Sequence, residues 1–108
     1  VAANGIRLYT PLAYGHAGDG NLHVNYLWND DSERAGVERS IERLFRDVVE
    51  LGGTLSGEHG IGLTKAPYLP IEQSADLIAL QRDLKRSFDP EGLLNPGKIF
   101  TAAGHRAC

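Results

Sequence analysis

The stretch that decides the fold is Gly15–Trp28, which reads G-H-A-G-D-G-N-L-H-V-N-Y-L-W. From Leu22 onward its residues alternate between two faces, which predicts a β-strand that ends at Trp28. His23 and Asn25 share one face of that strand, about 7 Å apart at roughly 3.3 Å per residue. The glycines before the strand remove side-chain bulk and permit positive φ angles, so they predict a tightly shaped loop that leads into it.

The segments around this stretch predict an α+β fold. Residues 6–14 give a weaker strand signal that Pro11 interrupts. Apolar residues at helical spacing predict two long helices, over residues 32–51 and 71–88. Residues 54–56 and 98–100 are predicted to be short strands, and residues 66–70 a loop or one helical turn. Two long helices beside a few short strands favour an antiparallel sheet that helices cover on one face.

The ends of the predicted helices carry recognisable signals. Asp30 is followed three residues later by Glu33, a pattern that resembles a capping box at a helix start. Gly52 and Gly53 are predicted to end the first helix. Asp89 precedes a proline, and the residue before proline disfavours helical geometry, so the second helix is predicted to end there.

Composition excludes several classes of protein. The 108 residues are 42% hydrophobic and 23% charged, which excludes wholesale disorder. The net charge of −3 and the pI near 5.7 argue against a nucleic-acid partner. No run approaches the roughly 20 apolar residues of a membrane-spanning helix. Cys108, the single cysteine, cannot form an internal disulfide, so a reducing compartment is expected. The chain holds no Met and no basic leader, and we expect it to be a segment of a longer polypeptide.

A second glycine cluster, Gly57–Gly62, reads G-E-H-G-I-G and places chemistry-bearing residues in a second loop. Histidine is the commonest metal ligand and the usual general base near neutral pH. A glycine-rich path can fold His16 back toward His23, and either Glu58 or His59 could complete a His/His/carboxylate set. Such a set with an open position is typical of a catalytic metal site, and Zn²⁺ would accept it.

Other interpretations of the same residues stay open at this stage. The first cluster looks a little like a phosphate cradle, but it lacks the Lys-Ser/Thr of a P-loop and a strand follows it. Asp19 and Asn21 can simply shape the turn, and the aromatic residues Tyr14, Tyr26 and Trp28 can be packing residues. The chain could also be a stand-alone metal-binding hydrolase, or a non-catalytic interaction module in which the glycine loops are structural.

Three ordered motifs resemble the C-terminal domain of FAD-linked oxidases. They are Gly15–His23 (G-H-A-G-D-G-N-L-H), Gly57–Gly62, and Asp89-Pro90 followed by Leu94–Lys98 (L-N-P-G-K). This is the vanillyl-alcohol-oxidase-like group that holds the glycolate oxidase flavin subunit, D-lactate dehydrogenase and D-2-hydroxyglutarate dehydrogenase. The resemblance covers residues 12–100 nearly continuously and implies a ferredoxin-like arrangement, of which one half is truncated here.

The resemblance also implies a role for each matching residue. His16, His23 and Glu58 correspond to the ligands of a divalent metal, Zn or Mn. His59 corresponds to the general base, and Asn25 to a substrate contact. The implied reaction oxidises a 2-hydroxy acid of the D-lactate or glycolate type to a 2-oxo acid, with hydride transfer to FAD. Asn95 corresponds to a residue of the segment that returns toward the flavin domain and is expected to contact the cofactor.

The resemblance further implies what this chain would need from elsewhere. The FAD-binding domain is expected N-terminal to it in the same parent chain, together with the basic residues that clamp the substrate carboxylate; Arg7 is a poor substitute for them. Residues 1–100 are therefore expected to be the substrate-side portion of the enzyme, inactive alone, with residues 101–108 as a disordered tail. An exposed apolar surface is expected, which would favour a homodimer. A cytoplasmic location is expected, with any attachment to the inner membrane made through partners.

Overall fold

The computed structural model describes residues 12–100, and its contacts divide the chain into two units that meet between Asp47 and Val48. The first unit holds strands β1 (Leu12–His16) and β2 (Asn21–Asn25) and most of helix α1 (Arg34–Glu50). The second unit holds helices α2 (Leu69–Glu72) and α3 (Ala75–Phe88). Short 3₁₀ turns, which connect or precede these elements, occupy Ala17–Asp19, Asp31–Glu33 and Ala66–Tyr68.

The two strands form an antiparallel hairpin in which Tyr14 pairs with His23 and His16 with Asn21. The strand extends two residues beyond its predicted end at residue 14, because Gly15 and His16 belong to it. Residues 6–11 of the predicted first strand lie outside the described residues. The second strand was predicted to reach Trp28 but ends at Asn25. Its last three predicted residues have no partner strand within residues 12–100, so only the paired part is a strand.

The capping signal lies where the sequence predicted it, but the turn that it caps, Asp31–Glu33, is 3₁₀, and α1 begins at Arg34 rather than at residue 32. The Asp30 carboxylate accepts a hydrogen bond from the backbone N–H of Ser32 at 3.1 Å. Glu33 reaches back to the N–H of Asn29 rather than to that of Asp30, so the capping box is shifted by one residue. The helix ends before Gly52, whose φ of +85° suits glycine and closes the last turn.

The apolar stripe predicted for α1 is confirmed for its helical members. Val37 is 2% exposed, and four further members are half-buried: Ile41, Leu44, Phe45 and Val48. Leu51 was placed on the same stripe but is 87% exposed, because it follows the last helical residue and no longer points along that face. In the loop before the helix, Tyr26 is half-buried, and burial raises the pKa of its hydroxyl.

The second unit is built around three buried side chains, Leu55, Ala66 and Leu69. The single helix predicted over residues 71–88 is in fact two, because Gln73 takes an extended conformation and breaks it. Ser74 then starts α3, since its Oγ accepts the N–H of Leu77 at 3.2 Å. The helix ends at Phe88, before the proline, as predicted.

Neither of the two short predicted strands of this unit forms. Residues 54–56 and 98–100 are bends and irregular structure, and the N–H of Ile99 donates a hydrogen bond to the carbonyl of Gly62 at 2.8 Å. The α+β class is nevertheless confirmed, since residues 12–100 contain one antiparallel pair of strands and three helices. The ferredoxin-like arrangement and the boundary at residue 100 stay predictions.

Many apolar side chains of the described residues face solvent. On α3 the exposed set falls on one stripe and consists of Leu77, Leu80, Leu84 and Phe88. This agrees with the exposed apolar surface that the sequence predicted. Among residues 12–100, none of the helices combines the length and the apolar character that crossing a lipid bilayer requires.

Candidate metal and substrate site

The first part of the candidate site is the hairpin turn, and its backbone geometry requires glycine at two positions. Gly20 has φ +68°, a left-handed conformation that returns the chain from the 3₁₀ turn into β2. Gly15 lies so close to the opposite strand that a methyl group there would overlap the carbonyl oxygen of Asn21 and approach the Cα of Leu22 to 2.9 Å. The glycines of this cluster therefore allow one tight course of the backbone, as the sequence indicated, and the cluster is not a flexible linker.

This hairpin brings two predicted metal ligands together. His16 lies at the end of β1 and His23 in the middle of β2, and their ring nitrogens approach within 4.8 Å of each other. His16 is exposed and His23 is half-buried. Two imidazoles at this separation, one of them open to solvent, can serve one metal ion. The predicted approach of the two histidines is therefore present within the first unit.

Tyr14 joins the predicted substrate residue to this pair. Its ring stacks on that of His23 with centroids 5.1 Å apart and an angle of 29° between the planes. Its hydroxyl oxygen accepts a hydrogen bond from Asn25 Nδ2 at 3.4 Å. Since Tyr14 touches both residues, His23 and Asn25 share the face that the alternation predicted.

Sequence reasoning gave Tyr14 a packing role, and its ring does stack on His23, but its contact with Asn25 was missed. The residue is 60% exposed and contacts the site through its ring and its hydroxyl. The signal that could have found it is the pairing register, because Tyr14 lies opposite His23. That register became visible only when Gly15 and His16 were placed in the strand.

The second part of the candidate site is the loop that carries Glu58 and His59. The two side chains lie next to each other, with His59 Nε2 3.9 Å from Glu58 Oε1. The His59 side chain is 69% exposed and that of Glu58 is 43% exposed. No helix or strand covers residues 53–62. The loop is instead closed by Ser56, whose Oγ accepts the N–H of Gly60 at 2.7 Å.

The third predicted motif forms a turn that a buried carboxylate holds. The Asp89 side chain is 7% exposed and receives three hydrogen bonds, from Lys85 Nζ at 2.8 Å and from the N–H groups of Leu93 and Leu94 at 2.9 and 3.0 Å. The Lys85 hydrogen bond, helped by the two backbone donors, lowers the pKa of Asp89 although burial opposes this. The next residue, Asn95, has φ +48°, so the predicted turn residue does occupy a turn.

The six predicted site residues thus lie on three segments of the chain. The hairpin holds His16, His23 and Asn25, the second loop holds Glu58 and His59, and the last turn holds Asn95. The first group belongs to one unit and the other two groups to the second unit. Sequence reasoning did not single out Ser56 or Lys85, and it named Tyr14 and Asp89 only for packing and for the end of a helix.

Comparison with known families gives a match over nearly the whole chain. The family model described as "FAD linked oxidases, C-terminal domain" matches residues 3–99. All three motif regions lie within that span, so the match and the predicted site refer to the same residues.

Three curated relatives illustrate the similarity. The glycolate oxidase subunit GlcD of Bacillus subtilis is 46% identical over 91 residues, which cover 81% of this chain and 19% of the relative. A mitochondrial D-lactate dehydrogenase (cytochrome) of Kluyveromyces lactis is 41% identical over 97 residues, 90% of this chain and 16% of the relative. A D-2-hydroxyglutarate dehydrogenase of Xanthomonas citri pv. viticola is 43% identical over 91 residues, 81% of this chain and 19% of the relative. The chain therefore spans less than a fifth of the length of these relatives.

Proposed function

This chain belongs to the family of FAD-linked oxidases, as their C-terminal domain, and we propose that it forms the substrate side of a flavin-dependent 2-hydroxy-acid dehydrogenase or oxidase. The observation that carries the proposal is the hairpin that brings the ring nitrogens of His16 and His23 within 4.8 Å. The names of the relatives support the substrate class, because they refer to glycolate, D-lactate and D-2-hydroxyglutarate.

We propose that His16, His23 and Glu58 hold a divalent metal. The two histidines fit this role by their mutual distance, and a carboxylate is the usual third donor when two histidines bind catalytic Zn²⁺. When bound, Zn²⁺ or Mn²⁺ would supply a Lewis acid that lowers the pKa of the substrate's 2-hydroxyl group.

His59 is the proposed general base of this site. Its imidazole is largely exposed, so a substrate can reach it. Its Nε2 lies 3.9 Å from Glu58 Oε1, next to the proposed metal ligand. A neutral imidazole can accept a proton at its unprotonated ring nitrogen. We propose that His59 Nε2 accepts the proton of the substrate's 2-hydroxyl group. We propose that Asn25 orients the substrate through the N–H groups of its side-chain amide. One of these N–H groups donates a hydrogen bond to the hydroxyl oxygen of Tyr14.

The flavin would supply the acceptor for the hydride that leaves the α-carbon of the substrate. We propose that a FAD-binding domain of the same parent chain holds it, and that Asn95 contacts it from the turn after α3. The conformation of that turn supports this role for Asn95, since Asp89 holds the two residues before it. The chain without that domain is proposed to be inactive. The homodimer and the cytoplasmic location stay predictions.

Metal uptake by the chain tests the ligand assignment. Wild type is expected to bind one equivalent of Zn²⁺ or Mn²⁺ in a titration followed by calorimetry. Loss of an outer partner of a ligand weakens metal binding about 10–100-fold, so removing a ligand in His16→Ala, His23→Ala or Glu58→Ala should cost more than about 100-fold. His105→Ala, which removes the fourth histidine of the chain, is the matched control. Equal weakening in all four variants would refute the assignment.

Flavin reduction by the whole protein tests the reaction. D-lactate, glycolate and D-2-hydroxyglutarate are each added without oxygen, and loss of the visible flavin absorbance is followed. We expect one of them to reduce the flavin, and His59→Ala to slow that reduction by about 10²–10⁴-fold while substrate still binds. A His59→Ala protein that reduces its flavin at the wild-type rate would overturn the base assignment.

A further inference from the structure

The loop that carries Glu58 and His59 has no secondary structure of its own, so other groups must fix its direction. Its entry is anchored at Leu55, whose side chain is 4% exposed. The N–H of Leu55 donates to Glu72 Oε2 at 3.0 Å, and the carbonyl of Leu55 accepts from Lys65 Nζ at 3.0 Å. Both backbone groups of one buried residue are therefore satisfied by charged side chains.

The signs of the two charges match the backbone groups that they meet. A carboxylate faces the positive end of an N–H dipole, and an ammonium group faces the negative end of a carbonyl dipole. Hydrogen bonds with one charged partner are shorter and about twice as strong as neutral ones. Because both bonds are at least partly removed from water, neither partner is readily replaced by solvent.

The position of these bonds along the chain ties them to the loop. Leu55 directly precedes Ser56, which closes the loop onto Gly60. On the far side, the N–H of Lys65 donates to the carbonyl of Ile61 at 3.2 Å, so Lys65 contacts the backbone on both sides of the loop. Glu72 lies in α2 and therefore connects the loop entry to a helix.

We propose that Lys65 and Glu72 are positioning residues that clamp Leu55 and thereby set the direction in which Glu58 and His59 are presented. Neither residue is proposed to touch metal, substrate or flavin. The inference rests on the proposed function in one respect, namely that Glu58 and His59 carry the chemistry.

The test uses the whole protein that contains this chain, with Lys65→Met, Lys65→Arg and Glu72→Gln. Lys65→Met keeps a long apolar stem and removes the donor, whereas arginine can still donate to the Leu55 carbonyl. Arg43→Met is the matched control, since it removes a positive charge from an exposed ion pair with Asp47 on α1. The readouts are Mn²⁺ affinity, kcat and KM for flavin reduction, and amide hydrogen exchange at Glu58, His59 and Gly60.

Lys65→Met is expected to weaken Mn²⁺ binding or lower kcat by about 10–100-fold, the range typical for outer partners of metal ligands. Lys65→Arg should restore most of the loss, Glu72→Gln should give a smaller loss because its amide oxygen can still accept, and Arg43→Met should change neither quantity. Faster exchange at the three loop amides should accompany the Lys65→Met loss.

Two outcomes separate the inference from the proposed function. A Lys65→Met protein with a lower thermal midpoint but unchanged Mn²⁺ affinity, kcat and loop exchange would show that Lys65 is merely structural, and the inference would fail. If wild type binds no Mn²⁺ and reduces no flavin, the proposed function fails. The exchange measurement still decides then whether Lys65 and Glu72 hold the loop.

Discussion

The two glycine clusters of this chain have similar composition but are held in different ways. Residues 15–20 are part of a hairpin, where cross-strand pairing and close backbone approach set the path. Residues 57–62 contain no helix or strand. Two backbone hydrogen bonds reach their far end, at the carbonyls of Ile61 and Gly62, and the side chains of Ser56, Lys65 and Glu72 hold the entry to the loop. The comparison teaches that the first loop should be sensitive to added bulk, and the second to the loss of single polar atoms.

The largest effect should come from adding bulk to the first cluster, in Gly15→Ala. The added methyl group meets the backbone of Asn21 and Leu22, which cannot move without opening the hairpin. Overpacking of this kind costs about 1–3 kcal/mol or more, which is large beside the marginal stability of a two-stranded hairpin. Amide exchange across residues 12–25 should become fast, and metal affinity should fall with it.

Gly18→Ala is the matched control for that variant. A methyl group at Gly18 meets nothing within 4 Å, and its φ does not lie in the left-handed region. Exchange in the hairpin should therefore stay at the wild-type level. Equal damage in both variants would mean that the first loop is not held by close backbone approach.

The turn before Asn95 should be next in sensitivity, because three hydrogen bonds meet on Asp89. Its ordinary pKa is 3.8, and the Lys85 hydrogen bond lowers it in the folded chain. The stabilisation from ionised Asp89 is thus fully present above 3.8 and is lost as the pH falls through the lower, folded value. Asp89→Asn should lower the thermal midpoint at neutral pH and flatten its decline in acid.

Thermal unfolding of wild type and Asp89→Asn between neutral pH and pH of about 2 checks this. Asp83→Asn is the control, because Asp83 forms an exposed pair with Arg86 on the same helix. If the thermal midpoints of wild type and Asp89→Asn fell in parallel as the pH is lowered, the Asp89 carboxylate would not be what holds the turn before Asn95.

A smaller effect is expected from Ser56→Ala, which removes the one acceptor that closes the second loop onto Gly60. A single hydrogen bond contributes about 1 kcal/mol. Exchange at the Gly60 amide should rise about fivefold, since that free energy corresponds to such a ratio. Ser87→Ala, which removes an exposed hydroxyl on α3, should leave the Gly60 exchange rate unchanged.

The smallest effect should come from Tyr14→Phe, which tests whether the loss of a single polar atom affects the first cluster. The hydrogen bond to Asn25 is long, at 3.4 Å, and exposed, while the ring that stacks on His23 is retained. Surface substitutions of this kind change stability by less than about 0.5 kcal/mol. A hairpin that unfolds in Tyr14→Phe would show that side chains hold the first cluster as well.

Local patterns predicted the parts of the fold that depend on neighbouring residues. Signals within a few residues of each feature predicted the apolar spacing of α1, its end before Gly52 and the end of α3 before the proline. The approach of His16 and His23 was predictable for the same reason, because a tight glycine turn leaves few paths between two residues so close in sequence.

Contacts between distant residues were not predictable in this way. Leu55 is 10 residues from Lys65 and 17 from Glu72, and no periodic pattern links them. The break at Gln73 was missed because the apolar spacing continues across it, while the serine cap acts only once α2 has ended. The end of β1 was missed because pairing with β2, and not local propensity, places Gly15 in a strand.

Every residue of β1 is exposed, and a two-stranded hairpin alone is only marginally stable in water. The apparent dissociation constant of a metal that needs the paired form equals the intrinsic constant divided by the paired fraction. The proposed ion would in turn stabilise the paired form by RT ln(1 + [M]/Kd), where [M] is its free concentration. The fraction of paired hairpin would then rise and fall with the free concentration of the ion, so that a shortage of the ion would also unpair the two strands.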